Sequence, residues 1–310
     1  TIGDLMVYTK NQTANEINGN NFRNFTLLGD PAVRLALPSY DVRTDSLNGV
    51  EISGAVDTLK ALSEVTISGH VSDPVTGTLM SGFNGTIVPV VYDKAQSIST
   101  LQNDPSSSPR TFDSYRNVLY KGKATVENGL FSFTFKVPKD ISLQHGNGRI
   151  SYYVHSDTTD GFGYNESIVV GGVDTSASED NDGPQIEVFL NDKNFVDGGI
   201  TDETPVLLAE LFDQNGINTV GNGIGHDITV VLDQETDNSI ILNDYYESDV
   251  DTYQSGVVKY PFSELSEGNH TLTFKAWDVY NNSSERTIDF IVASDASLVL
   301  DHVLNYPNPF

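Results

Sequence analysis

The sequence predicts a mainly β protein, built from tandem β-sandwich domains of the immunoglobulin-like kind and preceded by a short α/β segment. Residues 131–137 alternate between apolar and polar side chains, which is typical of a half-buried strand. Seven short strand-like runs fill residues 185–293, the size and rhythm of an immunoglobulin-like sandwich. Residues 1–39 differ from the rest of the chain, because apolar residues recur at helical spacing there, and they form the α/β segment.

Residues 1–39 predict a helix, a loop, a strand and a turn. Ile2, Leu5 and Met6 recur at helical spacing, and residues 25–28 form a short apolar run closed by Gly29, Asp30 and Pro31. This order is an α/β signature, but about forty residues cannot bury a core of that kind. We expect this segment to be the C-terminal end of a larger domain.

Residues 40–173 predict a β-sandwich domain. Apolar runs recur through it, and Asn128-Gly129 before the 131–137 run predicts a hairpin turn. The run 87–92 contains Pro89, which lacks a backbone N–H and therefore predicts an edge strand.

Residues 174–184 are polar and acidic and predict a linker, and residues 185–293 predict the immunoglobulin-like β-sandwich. The sandwich has no disulfide because the chain has no cysteine, and Trp277 is expected to be a packing residue. The seven predicted strands are 186–190, 206–212, 227–232, 240–242, 256–260, 270–276 and 287–292.

Residues 294–310 predict a linker followed by the first strand of a further domain. An apolar alternating run leads into Pro307 and Pro309, which fit neither a helix nor a central strand.

Composition excludes several functions. A net charge of −26 argues against nucleic-acid binding and against docking on anionic lipid, because both depend on Lys and Arg. The absence of cysteine removes Cys-ligated zinc and a cysteine nucleophile from these residues, and no apolar run is long enough for a transmembrane helix. The charge is typical of a soluble extracellular surface or of divalent-cation binding.

None of the six histidines has metal-ligand spacing. His226, followed by Asp227, suggests a catalytic histidine oriented by a carboxylate. The interpretation we favour is a strand-start residue whose ring bonds a neighbouring backbone group, since no nucleophile motif accompanies it. The pairs Tyr152-Tyr153 and Tyr245-Tyr246 suggest a sugar-stacking platform. Successive strand side chains point to opposite faces, so neither pair forms one flat surface, and we favour one core residue in each pair.

The acidic linker is the candidate calcium site. With Gly183 aligned to the invariant glycine of an EF-hand, Phe189 falls where a bidentate Glu is required, so that motif fails. A looser oxygen-lined calcium site remains, formed by Asp174, Asp180, Asn181 and Asp182. Asp278 with Asn281 and Asn282 is a similar candidate, although an Asx-rich turn explains it better.

Several segments resemble one family, the type IX secretion system sortases among the gingipain-type cysteine peptidases. Residues 24–35 are similar to the closing strand and turn of the caspase/gingipain-like peptidase domain, and residues 303–310 resemble the start of the type IX C-terminal sorting domain. The intervening segments that resemble the family's two β-domains are 137–141, 148–153, 223–228, 242–246 and 275–283.

The resemblance implies the non-catalytic C-terminal region of a cell-surface sortase of Gram-negative Bacteroidota. Such an enzyme removes C-terminal signals from type IX cargo and attaches the cargo to anionic lipopolysaccharide. Its catalytic Cys and His would lie upstream of Thr1, so no catalytic or cofactor-binding residue is assigned here. The implied partners are the outer-membrane barrel PorV, other attachment-complex proteins and cargo, with no direct membrane insertion.

Two other functions fit the sequence. The first is a surface adhesin or glycan-binding region of immunoglobulin-like modules, which would expose an aromatic groove. The second is a secreted gingipain-like peptidase that is itself type IX cargo, and it would lose the segment beyond Phe310 on maturation.

Overall fold

The computed structural model describes residues 1–16, 25–35, 37–52, 58–104, 106–219 and 225–293. The chain divides into two compact units, Thr1–Ser39 and Tyr40–Phe310. The predicted linker and strand at 294–310 lie outside the described residues, as do residues 223 and 224. In the described ranges no helix is both long and apolar enough to cross a bilayer.

The first unit contains helix α1 (Ile2–Glu16), as predicted. Thr1 caps the helix, because its Oγ1 accepts a hydrogen bond from the Asp4 backbone N–H at 3.2 Å. The strand predicted at residues 25–28 is wrong. Phe25 and Leu28 are 68% and 92% exposed, and the segment has no regular structure. An apolar run becomes a strand only where a partner strand satisfies its backbone, and none of the described residues pairs with it.

The rest of the described chain is almost entirely β, which confirms the predicted fold class. Residues 40–173 contain β1 (Tyr40–Leu47), β2 (Val50–Glu51), β3 (Thr58–Ala61), β4 (Glu64–Ser72), β5 (Gly85–Tyr92), β6 (Gln96–Ser99), β7 (Thr111–Ser114), β8 (Val118–Lys121), β9 (Ala124–Glu127), β10 (Leu130–Lys136), β11 (Gly146–Asn147), β12 (Arg149–His155), β13 (Asp160–Asn165) and β14 (Val169–Val173).

The main sheet of this first β domain closes on itself, whereas the sequence predicted two separate sheets. Its strand order is β12-β13-β1-β4-β10-β9-β5, and β5 pairs back with β12. A sandwich and a closed barrel both hide alternate side chains, so alternation does not distinguish them. Glycines contribute to the closure: a Cβ on Gly163 of β13 would lie only 1.9 Å from the Val42 carbonyl oxygen of β1.

Aromatic side chains fill this barrel. Phe131, Phe133 and Phe135 point inward from β10, as their alternation predicted. Tyr120 stacks on Phe135 with ring centroids 4.7 Å apart, and on Phe133 at 5.8 Å. The predicted hairpin turn before β10 is present, with Asn128 and Gly129 both at positive φ.

Pro89 is not at an edge, contrary to the prediction. It lies inside β5, which pairs with β12 from Thr86 to Tyr92. On the other side β5 pairs first with β9 and then with β8, and Pro89 falls between these two partners. At that break the Pro89 carbonyl accepts from the Gly122 N–H at 3.2 Å, and no residue of β9 or β8 is in register with Pro89 to accept from the N–H that proline lacks.

Residues 185–293 form a two-sheet sandwich in which all seven predicted strands are present, with two short additional ones. One sheet has the order β15-β17-β21-β20 and the other β16-β23-β22-β18-β19, and Phe274 and Phe290 are fully buried between them. The strands are β15 (Gln185–Leu190), β16 (Ile200–Thr201), β17 (Val206–Phe212), β18 (Thr229–Leu232), β19 (Ile240–Ile241), β20 (Tyr246–Ser248), β21 (Ser255–Pro261), β22 (Gly268–Trp277) and β23 (Ser283–Val292), with 3₁₀ turns at Thr236–Asn238 and Asn243–Tyr245.

Candidate functional site: the junction between the two β domains

The two β domains contact each other through two groups of polar side chains, which we call the lower and upper junction patches. In the lower patch, the Lys123 ammonium lies 2.6 Å from Glu247 Oε2. Asp251 accepts hydrogen bonds from the Thr125 N–H and Oγ1 at 2.7 and 2.6 Å. The Tyr253 hydroxyl donates to Glu64 Oε2 at 3.1 Å. Each contact joins β4 or the β8–β10 region of the barrel to the β20–β21 region of the sandwich.

The upper patch surrounds the end of β10. The Lys136 ammonium donates to Asn215 Oδ1 at 2.5 Å and lies 5.1 Å from the Tyr280 ring centroid. The backbone N–H of Lys139 donates to the Val279 carbonyl at 2.9 Å. Lys136 therefore contacts two turns of the sandwich, and the backbone bond from Lys139 joins one of them, the turn after β22, to the barrel.

His226 belongs to the upper patch. Its Nδ1 lies 2.5 Å from Asp140 Oδ2, while Asp140 Oδ1 accepts from Asn281 Nδ2 at 2.7 Å. The prediction that the ring bonds a neighbouring backbone group is wrong, because its partner is a carboxylate of the other domain. Trp277 packs here, 4.4 Å from the His226 ring centroid, and is only half-buried. His226 thus joins domains across 86 residues of sequence.

Three carboxylates meet behind this patch, and we call them the acidic cluster: Asp180, Asp213 and Asp278. One oxygen from each lies within 4.8 Å of the others. Asp180 comes from the linker, Asp213 from the turn after β17, and Asp278 from the turn after β22. Asp213 is 6% exposed and Asp278 is fully buried.

Local hydrogen bonds place the two buried carboxylates. Asp213 Oδ1 accepts from the backbone N–H groups of Asn215 and Gly216 at 2.7 and 3.0 Å. Asp278 Oδ1 accepts from the N–H groups of Tyr280 and Asn282 at 2.9 and 2.7 Å. Both are Asx turns, so the side chains that shape these turns are also the ones directed at Asp180.

The cluster concentrates negative charge in a poorly solvated place. Burial raises the pKa of Asp278 to about 6, against the hydrogen bonds from Asn282, and repulsion from Asp213 and Asp180 adds to the rise. Burial likewise raises the pKa of Asp213, with a further contribution from Asp180, while Lys136 opposes it. The arrangement favours a cation, because the nearby ammonium offsets only part of three carboxylate charges.

Asp180 is the only one of the four predicted calcium ligands in this cluster. Asp174 Oδ1 instead accepts from the N–H and Oγ of Ser176 at 2.9 and 2.6 Å, and these bonds lower its pKa. Asn181 and Asp182 are exposed. Asp278 forms the Asx turn that the sequence indicated and also lies in the cluster. Sequence reasoning missed Asp213, although Asp213-Gln214-Asn215-Gly216 after a strand is the composition of an Asx turn.

The two tyrosine pairs are arranged as predicted. Tyr152 and Tyr246 are buried, and Tyr153 and Tyr245 are exposed. The Tyr152 hydroxyl is within 2.7 Å of Thr44 Oγ1, which satisfies its polar end inside the barrel.

Comparison with solved structures finds a similarity to dimeric latent PorU from Porphyromonas gingivalis. The identity is 34% with a TM-score of 0.50, over 94% of this chain and 28% of that chain. No protein-family model and no curated protein matches the sequence. This chain is therefore related to a region of PorU, and it spans little more than a quarter of that protein.

Two further solved structures have much lower identity and TM-scores. An endo-β-1,4-mannanase from Thermotoga petrophila matches at 15% identity and a TM-score of 0.24, over 34% of this chain and 20% of that chain. Fibronectin(III)-like modules of CbhA from Clostridium thermocellum match at 13% identity and a TM-score of 0.22, over 85% of this chain and 100% of that chain. Such scores support no functional comparison.

Proposed function

We propose that this chain is the non-catalytic C-terminal region of a PorU-like cell-surface sortase, and that it positions an upstream cysteine peptidase domain. The similarity to PorU over 94% of the chain carries the proposal. The parent protein would remove C-terminal signals from type IX cargo and attach the cargo to anionic lipopolysaccharide. It would act at the outer membrane of Gram-negative Bacteroidota, with PorV, attachment-complex proteins and cargo as partners.

The junction supplies the mechanism. A chain that only tethers a peptidase would have a flexible, weakly packed connection between its domains. Here the linker residue Asp180 accepts from Asn215 Nδ2 at 2.6 Å, and its carbonyl accepts from Asn282 Nδ2 at 3.2 Å. The two junction patches and the fastened linker hold both β domains in one orientation, which sets where the peptidase domain can reach.

Calcium binding in the acidic cluster is part of the same proposal. Oxygens that share one Ca²⁺ at about 2.3–2.6 Å can lie up to about 5 Å apart, which the separations within the cluster satisfy. Asp180 would connect the linker to two turns of the sandwich through the ion. Calcium would therefore stabilise the junction and offset the repulsion among the carboxylates.

The test uses the full-length protein in cells that secrete type IX cargo. Asp140→Ala with Asp251→Ala removes one anchor from each junction patch. We expect cargo to keep its C-terminal signal or to be released unattached, while cleavage of a short peptide by the purified variant stays at the wild-type level. Asp104→Ala is the matched control, because Asp104 is an exposed loop aspartate outside the junction.

If the double variant processed and attached cargo as the control does, the positioning role would be wrong. If cells with residues 40–293 deleted still attached cargo, the assignment of this region to a sortase would fail as well.

A further inference from the structure

The barrel carries an exposed aromatic surface that its own packing does not require. Tyr153 of β12 lies opposite Phe162 of β13, and Tyr164 follows two residues along β13. They are 46%, 54% and 60% exposed, respectively. We call Tyr153, Phe162 and Tyr164 the aromatic track.

Along β13, glycines face the barrel interior and aromatic residues face the solvent. In Asp160-Gly161-Phe162-Gly163-Tyr164 the inward positions are glycines, and a Cβ at Gly161 would lie 2.8 Å from the Tyr40 carbonyl oxygen. Barrel closure therefore needs the glycines, while the alternating aromatics contribute no core packing. Apolar rings kept in water at three neighbouring positions indicate an interaction surface.

The track leads into a cleft at one end of the barrel. His155 is the next outward-facing residue after Tyr153 on β12. Its ring stacks on the Tyr153 ring, with centroids 5.8 Å apart. His155 also lines the cleft, which has a volume of about 670 Å³. Further lining residues are the aromatic Tyr40 and Phe83 and the polar Asn84, Asp157 and Thr158. Track and cleft thus form one continuous surface.

The other end of the track is polar. The Arg149 guanidinium lies 4.9 Å from the Tyr164 ring centroid, and its Nη1 is 3.4 Å from Glu166 Oε1. Side chains two apart on one strand are separated by about 7 Å, so the surface offers rings at intervals along a line. Hydrogen-bonding groups lie at both ends of the aromatic track, and the cleft lies at one end.

We propose that the aromatic track and its cleft bind a neutral glycan chain. Sugar rings have apolar C–H faces that stack on aromatic rings, and hydroxyl edges that bond to groups such as Asn84, Asp157 and Arg149. Charge selects the class of glycan. Asp157, Asp160 and Glu166 outnumber Arg149 around the track, and the chain carries a net charge of −26. A polyanionic chain would be repelled.

The test uses the whole chain and calorimetric titration with three probes: cellohexaose, mannohexaose and the acidic hexamer of galacturonate. Binding is expected for at least one neutral hexasaccharide and not for the acidic one. Phe162→Ser with Tyr164→Ser should weaken the binding at least tenfold. Phe112→Ser is the matched control, because Phe112 is 51% exposed on the separate β6–β7 hairpin. It should leave the affinity unchanged.

The unfolding midpoint of each variant confirms that it is folded. Three results would overturn the inference: neither neutral probe binds, the acidic probe binds as well as a neutral one, or the double variant binds like the control. A track that proves to join two copies of the chain would also overturn it. Sedimentation would then show self-association that the double variant abolishes, without any glycan binding. None of these results bears on the sortase proposal, which rests on the junction and on similarity to PorU.

Discussion

The acidic cluster should make the chain less stable as the pH rises, and Asp213→Asn should recover part of the loss. Asp278 has a pKa of about 6 when folded and 3.8 as its ordinary value. The folded state therefore holds this proton more tightly than the unfolded state, so the contribution favours folding at low pH. It declines as the pH rises from about 4 to about 6, by about 3 kcal/mol.

Coulomb's law gives a similar magnitude. Two unit charges 4.8 Å apart interact by about 3 kcal/mol at an effective dielectric constant of about 20. Burial, the largest cause of the raised pKa, remains in the Asp213→Asn variant, so only the repulsive part is recovered. Asn keeps the oxygen that accepts from Asn215 and Gly216 and therefore preserves the turn. We expect a gain of about 2 kcal/mol at pH 7.

The assay is urea unfolding of the wild-type chain and the variant between pH 4 and pH 7.5 in a chelator. The difference between the two free energies of unfolding removes contributions from carboxylates elsewhere in the chain. It should be near zero at pH 4 and reach its full value above about pH 6. Asp202→Asn is the control, because Asp202 also accepts from a backbone N–H two residues on, outside the cluster. A variant no more stable than wild type at pH 7, or a gain equal at pH 4 and pH 7, would show that repulsion from Asp213 does not destabilise the folded chain.

The calcium site, the Lys136 contact and the sandwich core each give one further prediction. Calcium should raise the unfolding midpoint of the wild-type chain but not of Asp213→Asn with Asp180→Asn, and equal shifts in calorimetric scans would remove the ion from the cluster. Lys136→Met should lower the free energy of unfolding by about 1–3 kcal/mol, because it removes the ammonium near the cluster and leaves Asn215 Oδ1 without its donor. An unchanged urea midpoint would contradict this expectation. Phe274→Ala should lower the free energy of unfolding by about 3–5 kcal/mol, because Phe274 is fully buried in the sandwich core. A loss below about 1 kcal/mol would show that neighbouring side chains fill the cavity.

Local patterns predicted the strands well, because a strand that is buried on one face has alternating apolar and polar residues along its sequence. The β10 aromatics and the seven sandwich strands follow from that rule alone. It failed where pairing depends on distant partners. Residues 25–28 have a strand's composition and no partner among the described residues, and Pro89 fits inside β5 because it lies between the residues that pair with β9 and those that pair with β8.

The junction was harder to predict for the same reason. The bond between His226 and Asp140 joins residues 86 apart, and the acidic cluster takes one carboxylate from the linker and one from each of two separate turns. Composition identified the linker and the 278–282 turn as acidic and Asx-rich. It could not show that both face Asp213, because that depends on how the two sheets of the sandwich end next to the barrel.

A distance distribution between two spin labels would measure whether the junction holds the two β domains in one orientation. The chain contains no cysteine, so Lys121→Cys in the barrel and Arg286→Cys in the sandwich provide a single labelled pair at exposed positions. Electron–electron double resonance should give one narrow distribution, which broadens when Asp140→Ala and Asp251→Ala are added. A distribution already broad in the otherwise wild-type chain would show that the two β domains are not held in one orientation.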